Sequence, residues 1–446
     1  MAWWRRGGRR PLDGEGIAAV EEAVQAADDV DAAWAAAAPL RAAMEHTDAA
    51  MALAGCVGWF GPHRGVEAGR ALLAQHGDPL WLLAALADSI PRLFDVEDLN
   101  AAPPRDPWFA EVVERLEHAA ASATGEDAVA LFDGVAVVAG CLGRGGDAAL
   151  ERAHAALRGL EPEGPSHHAN AAEFFKRRGR WAEGQAANQR ALDLGDSEQA
   201  TWWNLGICAT GAGDGATALT AWKRLEHPVE LGRFGLPDGD LGMTKVRLAQ
   251  RPLAERTAAC DSPGVEENIW IERMSACHGI VRVALFDDAL GVEYGDVVLF
   301  DGAPVAYRGD EPIFPHLATL HRRGYQVWRF AGTQVAKRQL VELSAHLPED
   351  TVVYPHTEFV RHRCAACANG SGDGHVHADE QTHHVVRGKL CAPPHLAPAT
   401  VLAALDAAIA GAPGAQIAVP DLCAAAGDAA RAEVEARRLA LLVDNT

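Results

Sequence analysis

Three glycines, Gly145, Gly179 and Gly213, recur at intervals of 34 residues. Each stands between two stretches of helical periodicity, where a tight turn needs a residue that tolerates positive φ. The register is wider than the glycines. Leu157, Ala191 and Leu225 share one phase, and Val137, Ala171 and Leu205 share another. A repeat of this length is one helical hairpin that cannot bury its apolar stripe alone, so neighbours must stack and share a core. The spacing therefore predicts at least three stacked hairpins over residues 131–232, with a concave groove along them.

The third unit carries the most detailed pattern. Trp202, Asn204, Leu205 and Gly206 fall on its first helix, and Ala218 with Trp222 on its second. Pro162 closes the first unit. The second unit departs, with Ala172 and Gly184 at the phases of Gly206 and Ala218. On these residues the segment resembles the tetratricopeptide repeat family. The resemblance implies a superhelix that binds a protein or peptide partner, with Trp202, Asn204 and Trp222 as candidate partner-binding residues.

A chain of 446 residues exceeds one compact domain. The reading divides it into a helical segment at 1–130 (degenerate repeats or a cap), repeats at 131–250, and a mixed α/β domain at 260–446. The fold class expected is thus α+β multidomain, an N-terminal all-α repeat superhelix followed by a C-terminal α/β domain. Abundant alanine and few aromatics, 6% of the chain, favour helix in the first part.

The net charge of −21 argues against nucleic acid as a partner, since phosphate binding needs a basic face. The Arg5, Arg6, Arg9, Arg10 cluster is too short to supply one. An acidic surface favours basic or neutral partners. No apolar core of a secretion signal follows those arginines, and the most apolar run, Ala49 to Gly61, is shorter than the ~20 residues a membrane helix needs. Scattered cysteines such as Cys56, Cys141 and Cys208 in helical contexts read as small core residues. A cytoplasmic location with no membrane partner is expected.

Beyond about residue 255 the pattern turns to short β runs at Ile280–Phe286 and Val297–Phe300. Asp301-Gly302 predicts a two-residue hairpin into Ala303–Tyr307, with Pro304 marking an edge strand. Helices are expected at Pro315–Arg323, Gln334–His346, Ala399–Ile409 and Asp428–Val443. Strands are expected at Tyr325–Phe330, Thr351–Tyr354, His384–Leu390 and Gln416–Val419. Pro315-His316-Leu317 and Pro394-His395-Leu396 form a faint echo of a duplicated β-β-α-β unit.

The densest chemistry lies in 356–391. Cys364 and Cys367 have the Cys-x2-Cys spacing that lets two thiolates reach one tetrahedral ion. His375, His377, His383 and Cys391 offer the remaining donors across a glycine-rich loop. Structural zinc is the expected cofactor. Only nine residues separate Cys367 from His377, fewer than a zinc finger uses, so the ligand set stays open. Two alternatives accompany it: a metal-dependent enzyme working in a pocket around His356, Glu358 and His384, and metal storage or delivery.

Other groups read as structural. Cys277-His278 is expected to be a core pair or a separate metal contribution rather than a catalytic pair, because neighbours on a strand face opposite ways. His316 and His321 lack a clean same-face spacing. Asp287, Asp288, Asp296 and Asp301 flank β runs as turn residues do. The usual nucleotide-binding, hydrolase and metalloprotease signatures are missing. The reading that results is an interaction scaffold with a zinc-stabilised C-terminal domain.

Overall fold

The structure is a computed structural model that describes residues 12–94, 106–257, 259–363 and 381–443, excepting the side chains of 358–383 and 443. Its contacts divide into two units, 1–226 with Leu253–Pro263, and His227–Pro252 with 264–446.

The first unit is helical. Helices α1 (Gly14–Gln25), α2 (Val30–Ala36), α3 (Ala38–Ala42), α4 (Thr47–Gly55), α5 (Gly61–His76), α6 (Leu80–Ser89) and α7 (Trp108–Ala120) lead into three hairpins. These pair α8 (Glu126–Cys141) with α9 (Asp147–Leu160), α10 (Pro165–Arg177) with α11 (Trp181–Asp193), and α12 (Gln199–Ala212) with α13 (Gly215–Arg224). The repeat predicted from the 34-residue spacing is present. One apolar core runs continuously from Val24 to Ala187.

Gly179 and Gly213 adopt φ of 69° and 77° at the hairpin turns, as their spacing predicts. The first turn differs. There Gly143 takes the positive φ, at 57°, and opens a short 3-10 turn, while Gly145 has no left-handed backbone. Gly145 keeps the phase of the repeat without its conformational role.

Tight packing rests on glycine meeting indole. A Cβ on Gly206 would stand 2.5 Å from the Trp222 ring, and one on Gly211 would stand 2.5 Å from the Trp181 ring. Asp214 caps α13 by accepting from the Thr217 amide at 3.1 Å. Residues 253–263 also cluster here. The Asp261 carboxylate accepts from the Arg144 amide at 3.3 Å, and the Arg144 guanidinium donates to the Arg177 carbonyl at 3.3 Å.

The second unit begins with a two-residue pairing of β1 (Glu230–Leu231) and β2 (Pro237–Asp238). A six-stranded sheet follows, formed by β3 (Met243–Ala249), β4 (Glu266–Arg273), β5 (His278–Val281), β6 (Val297–Phe300), β7 (Ala306–Arg308) and β8 (Glu311–His321). Parallel pairing of β3 with β8 closes the sheet on itself. Closure gives β3 a partner on each side and leaves β7 as the edge strand, and Val246, Leu248, Ile271, Val298 and Phe300 form a core cluster.

A four-stranded antiparallel sheet follows, ordered β10 (Val352–Arg363), β11 (Gln381–Ala392), β9 (Gln326–Gln334), β12 (Gln416–Ala418). Short α14 (Gln339–Glu342), then α15 (Pro398–Ala410), α16 (Pro420–Ala425) and α17 (Ala429–Val443) accompany it. Val401, Leu402, Leu405 and Leu422 pack with Trp328, Phe330 and Val386 in its core.

Three expectations are corrected here. Residues 315–323 do not form a helix; they belong largely to β8, whose two edges are claimed by β6 and β3. Pro315, His316 and Leu317 are buried in succession, so β8 shows no clean alternation, and such segments are ambiguous by periodicity alone. β6 does not turn at Asp301-Gly302 into a hairpin. It pairs with β8, and Asp301 instead accepts from the Ala303 amide at 3.2 Å in a local turn. The echo of a duplicated unit also fails, since Pro315-His316-Leu317 is strand whereas Pro394-His395-Leu396 is a turn before α15. The edge position expected near Pro304 is observed, with β7 flanking β8 only.

Candidate functional site

The third hairpin ends in a cavity of about 250 Å³ lined by Ser197, Gln199, Trp202, Arg224, Leu225 and Glu226. Local sequence sets both of its walls. Asp196 pins the start of α12 by accepting from the Glu198 amide and the Thr201 hydroxyl, each at 2.8 Å. That fixes Ser197, Gln199 and, one turn on, the half-buried Trp202. The other wall is the end of α13. Glu226 breaks that helix in the left-handed region, at φ 62°, where glycine is the ordinary choice. A carboxylate-bearing residue held in a costly backbone well is often a residue kept for its side chain.

Trp202 is the floor, and Arg224 stands over its ring with the guanidinium carbon 6.0 Å from the centroid. Trp222, from the same predicted set, is different. It is fully buried, its ring edge-on to Trp203 at 5.2 Å, and it packs between helices rather than facing a partner. Its place in the partner-binding set is therefore corrected to a core role. Asn204 faces the neighbouring hairpin, where its side-chain oxygen accepts from the Lys176 ammonium at 2.8 Å. Lys176 also holds Glu173 at 2.8 Å, and Arg177 holds the same carboxylate at 2.7 Å. Burial opposes the charge of Glu173, yet these two cations hold its pKa below the usual carboxylate range. Asn204 thus joins a polar link between α10 and α12.

Sequence reasoning found Trp202 but not Ser197, Gln199, Arg224 or Glu226. Leu225 entered it only as a phase marker. No motif joins residues on opposite sides of a hairpin, and only the meeting of two helix ends reveals the set.

In the second unit, Cys364, Cys367, His375 and His377 lie outside the described residues. The backbone of His383 pairs with Arg361 in the β10–β11 ladder, while its side chain lies outside them. Cys391 sits at the far end of β11, paired with Val352, and packs with Ala284, Tyr294 and Tyr325. It is fully buried there, at the opposite end of β11 from Gln381, and burial pushes its thiol up to about 12. Cys391 is therefore removed from the proposed ligands. Among the described residues, no three His, Cys, Asp or Glu side chains are grouped to hold an ion.

His356 is the extra residue of a bulge between Pro355 and Thr357, and its Nε2 lies 2.7 Å from the Ala284 carbonyl. Its ring sits 5.5 Å from the exposed Phe286 and 5.8 Å from Tyr354, and burial lowers its pKa. The Glu358 side chain lies outside the described residues, and His384 is half-buried in β11. Cys277 and His278 are fully buried. His278 Nδ1 meets the Ser275 hydroxyl at 2.5 Å, and burial drives its pKa down to about 3, so it stays neutral at ordinary pH. A core pair, as expected from adjacency, describes them. Asp296 accepts from the amides of Glu293 at 3.0 Å and Arg323 at 2.7 Å, an anchor for two turns.

No described helix is long and apolar enough to cross a membrane. No family model and no curated protein matches the chain. Among solved structures it is similar to PilF of Pseudomonas aeruginosa, at 18% identity over 48% of this chain and 91% of that one, with a TM-score of 0.32. A score so low does not establish common topology, so the repeat architecture rests on the chain's own hairpins.

Proposed function

We propose that this chain is a protein-interaction scaffold whose helical unit takes a peptide or protein partner at the cavity floored by Trp202. The observation that carries the reading is an indole left half-exposed in a cavity rimmed by a hydroxyl, a carboxamide, a guanidinium and a carboxylate. Large aromatic surfaces beside unspent polar groups are the usual anchors of peptide interfaces. The test is a phage-displayed peptide selection on the full chain, with the hits titrated against Trp202→Ala. Affinity is expected to fall about 30-fold or more, as truncating an interface anchor usually causes. An unchanged melting temperature in the variant assigns that loss to the site. Hits that bind the variant as well as the parent chain would overturn the proposal.

A second reading concerns the segment between β10 and β11, for which zinc is proposed on Cys364, Cys367 and two of His375, His377 and His383. Its support is the ladder register. Arg363 pairs with Gln381, so the ends of the segment are already brought together and closing it around an ion costs less entropy. Elemental mass spectrometry of the purified chain should find about one zinc, lost in Cys364→Ser/Cys367→Ser. Several ions per chain would favour metal storage or delivery, and redox-active iron or copper would favour a metal-dependent enzyme. A metal-free chain would remove the site.

A further inference from the structure

We infer that the cavity at the end of α12 and α13 recognises a carboxylate on an apolar peptide segment, taken by Arg224 above the Trp202 ring. This inference rests on the scaffold reading and names the partner's chemistry. Several other arginines of the hairpins are ion-paired, Arg178 to Asp147 at 2.6 Å, Arg180 to Glu151 at 2.7 Å and Arg190 to Glu163 at 3.2 Å, while Arg158 donates to the His154 carbonyl at 3.1 Å. Arg224 has no carboxylate partner among the described residues and stands over the ring of Trp202. At 6.0 Å from the centroid the guanidinium is at the outer limit of a cation–π contact, and its planar N–H groups form the fork that fits a carboxylate with two parallel hydrogen bonds.

The other groups fit the same occupant. Trp202 and Leu225 offer apolar surface on which a neighbouring side chain can lie. Ser197 and Gln199 present a hydroxyl and a carboxamide suited to peptide carbonyls and amides. Glu226, on the rim, is an acceptor for backbone N–H of the bound segment. A cavity of about 250 Å³ suits one or two residues of an extended chain rather than a folded surface. The chain's overall charge of −21 repels an acidic partner at a distance, so recognition here depends on short-range pairing with Arg224. The carboxylate has two possible sources, an acidic side chain or a chain terminus.

The experiment uses labelled pentapeptides with phenylalanines flanking the centre, read by fluorescence anisotropy on the full chain. One carries its carboxylate on a central glutamate, one only at a free C-terminus, one has neither, and one has a central lysine. At least one carboxylate peptide should bind about tenfold or more tighter than the neutral one, the gain expected of a charge-assisted bidentate pair. Which one does so identifies the source. Arg224→Gln should erase that preference with no change in melting temperature, and Arg224→Lys should restore only part of it. Equal binding of neutral and acidic peptides, a preference that survives Arg224→Gln, or tightest binding of the lysine peptide would overturn the inference. If neutral binding is still lost in Trp202→Ala, the scaffold reading stands without it. If no peptide binds, both fall.

Discussion

Trp222→Ala is expected to destabilise the helical unit by about 3–5 kcal/mol, the range for removing a large buried aromatic side chain. Trp222 is fully buried and stands against Gly206, at the closest approach of α12 and α13. The hole left by the indole cannot readily collapse. The turn between these helices is fixed by Gly213 in the left-handed region and by the Asp214 cap, so the helices are held apart at their existing separation. Terminal hairpins depend on their neighbours for much of their burial, so the loss should spread to α10 and α11. Urea titration followed by far-ultraviolet dichroism measures it. A loss below about 1 kcal/mol would mean that the indole does not hold the hairpin together. The partner position offers a second arm: Gly206→Ala alone should also destabilise, and less so in a chain that already carries Trp222→Leu.

Gly388→Ala is expected to be comparably severe, about 3–4 kcal/mol, and confined to the second unit. A Cβ there would stand 2.0 Å from the Tyr354 carbonyl oxygen and 2.8 Å from the Pro355 Cα. Both are backbone atoms, so no rotamer change relieves the overlap. The cause is the bulge at His356, which brings β10 unusually close to β11 opposite Gly388. The strands must separate at that point, loosening the ladder that brings the two ends of the cysteine and histidine segment together. Amide exchange should accelerate along β10 and β11 while α8 to α13 remain protected. Gly411→Ala is the control, since its nearest contact would be an ordinary 3.5 Å, and it should change stability by no more than about 0.5 kcal/mol. Equal effects from the two substitutions would contradict the bulge argument.

The parts of this fold that the sequence disclosed are those with short-range causes. A 34-residue period survives in the residues because every hairpin repeats the same packing problem, and Gly179 and Gly213 answer it with the same backbone angle. Where the first hairpin solves it through Gly143 and a 3-10 turn, the phase pointed to Gly145, a neighbour without the strain. The closed sheet was hidden for the opposite reason. β8 draws its stability from β3 and β6, distant in sequence, and its two prolines and irregular polar positions carry no strand alternation. Tryptophan at these phases did not reveal which ring is buried and which is not. Trp202 and Trp222 sit in one hairpin, and only the glycine facing Trp222 makes it core while Trp202 is left beside solvent. Arg224 and Glu226 had no pattern to betray them, because their meaning comes from the helix end across the cavity.

The most direct test of the scaffold account is hydrogen–deuterium exchange of the full chain with and without a selected peptide at saturation. The account predicts slowed exchange centred on the start of α12 around Ser197–Trp203 and on the end of α13 around Arg224–Glu226, with the second unit unchanged. Protection confined to the second unit, or a bound peptide that leaves both of those helix ends unprotected, would contradict it.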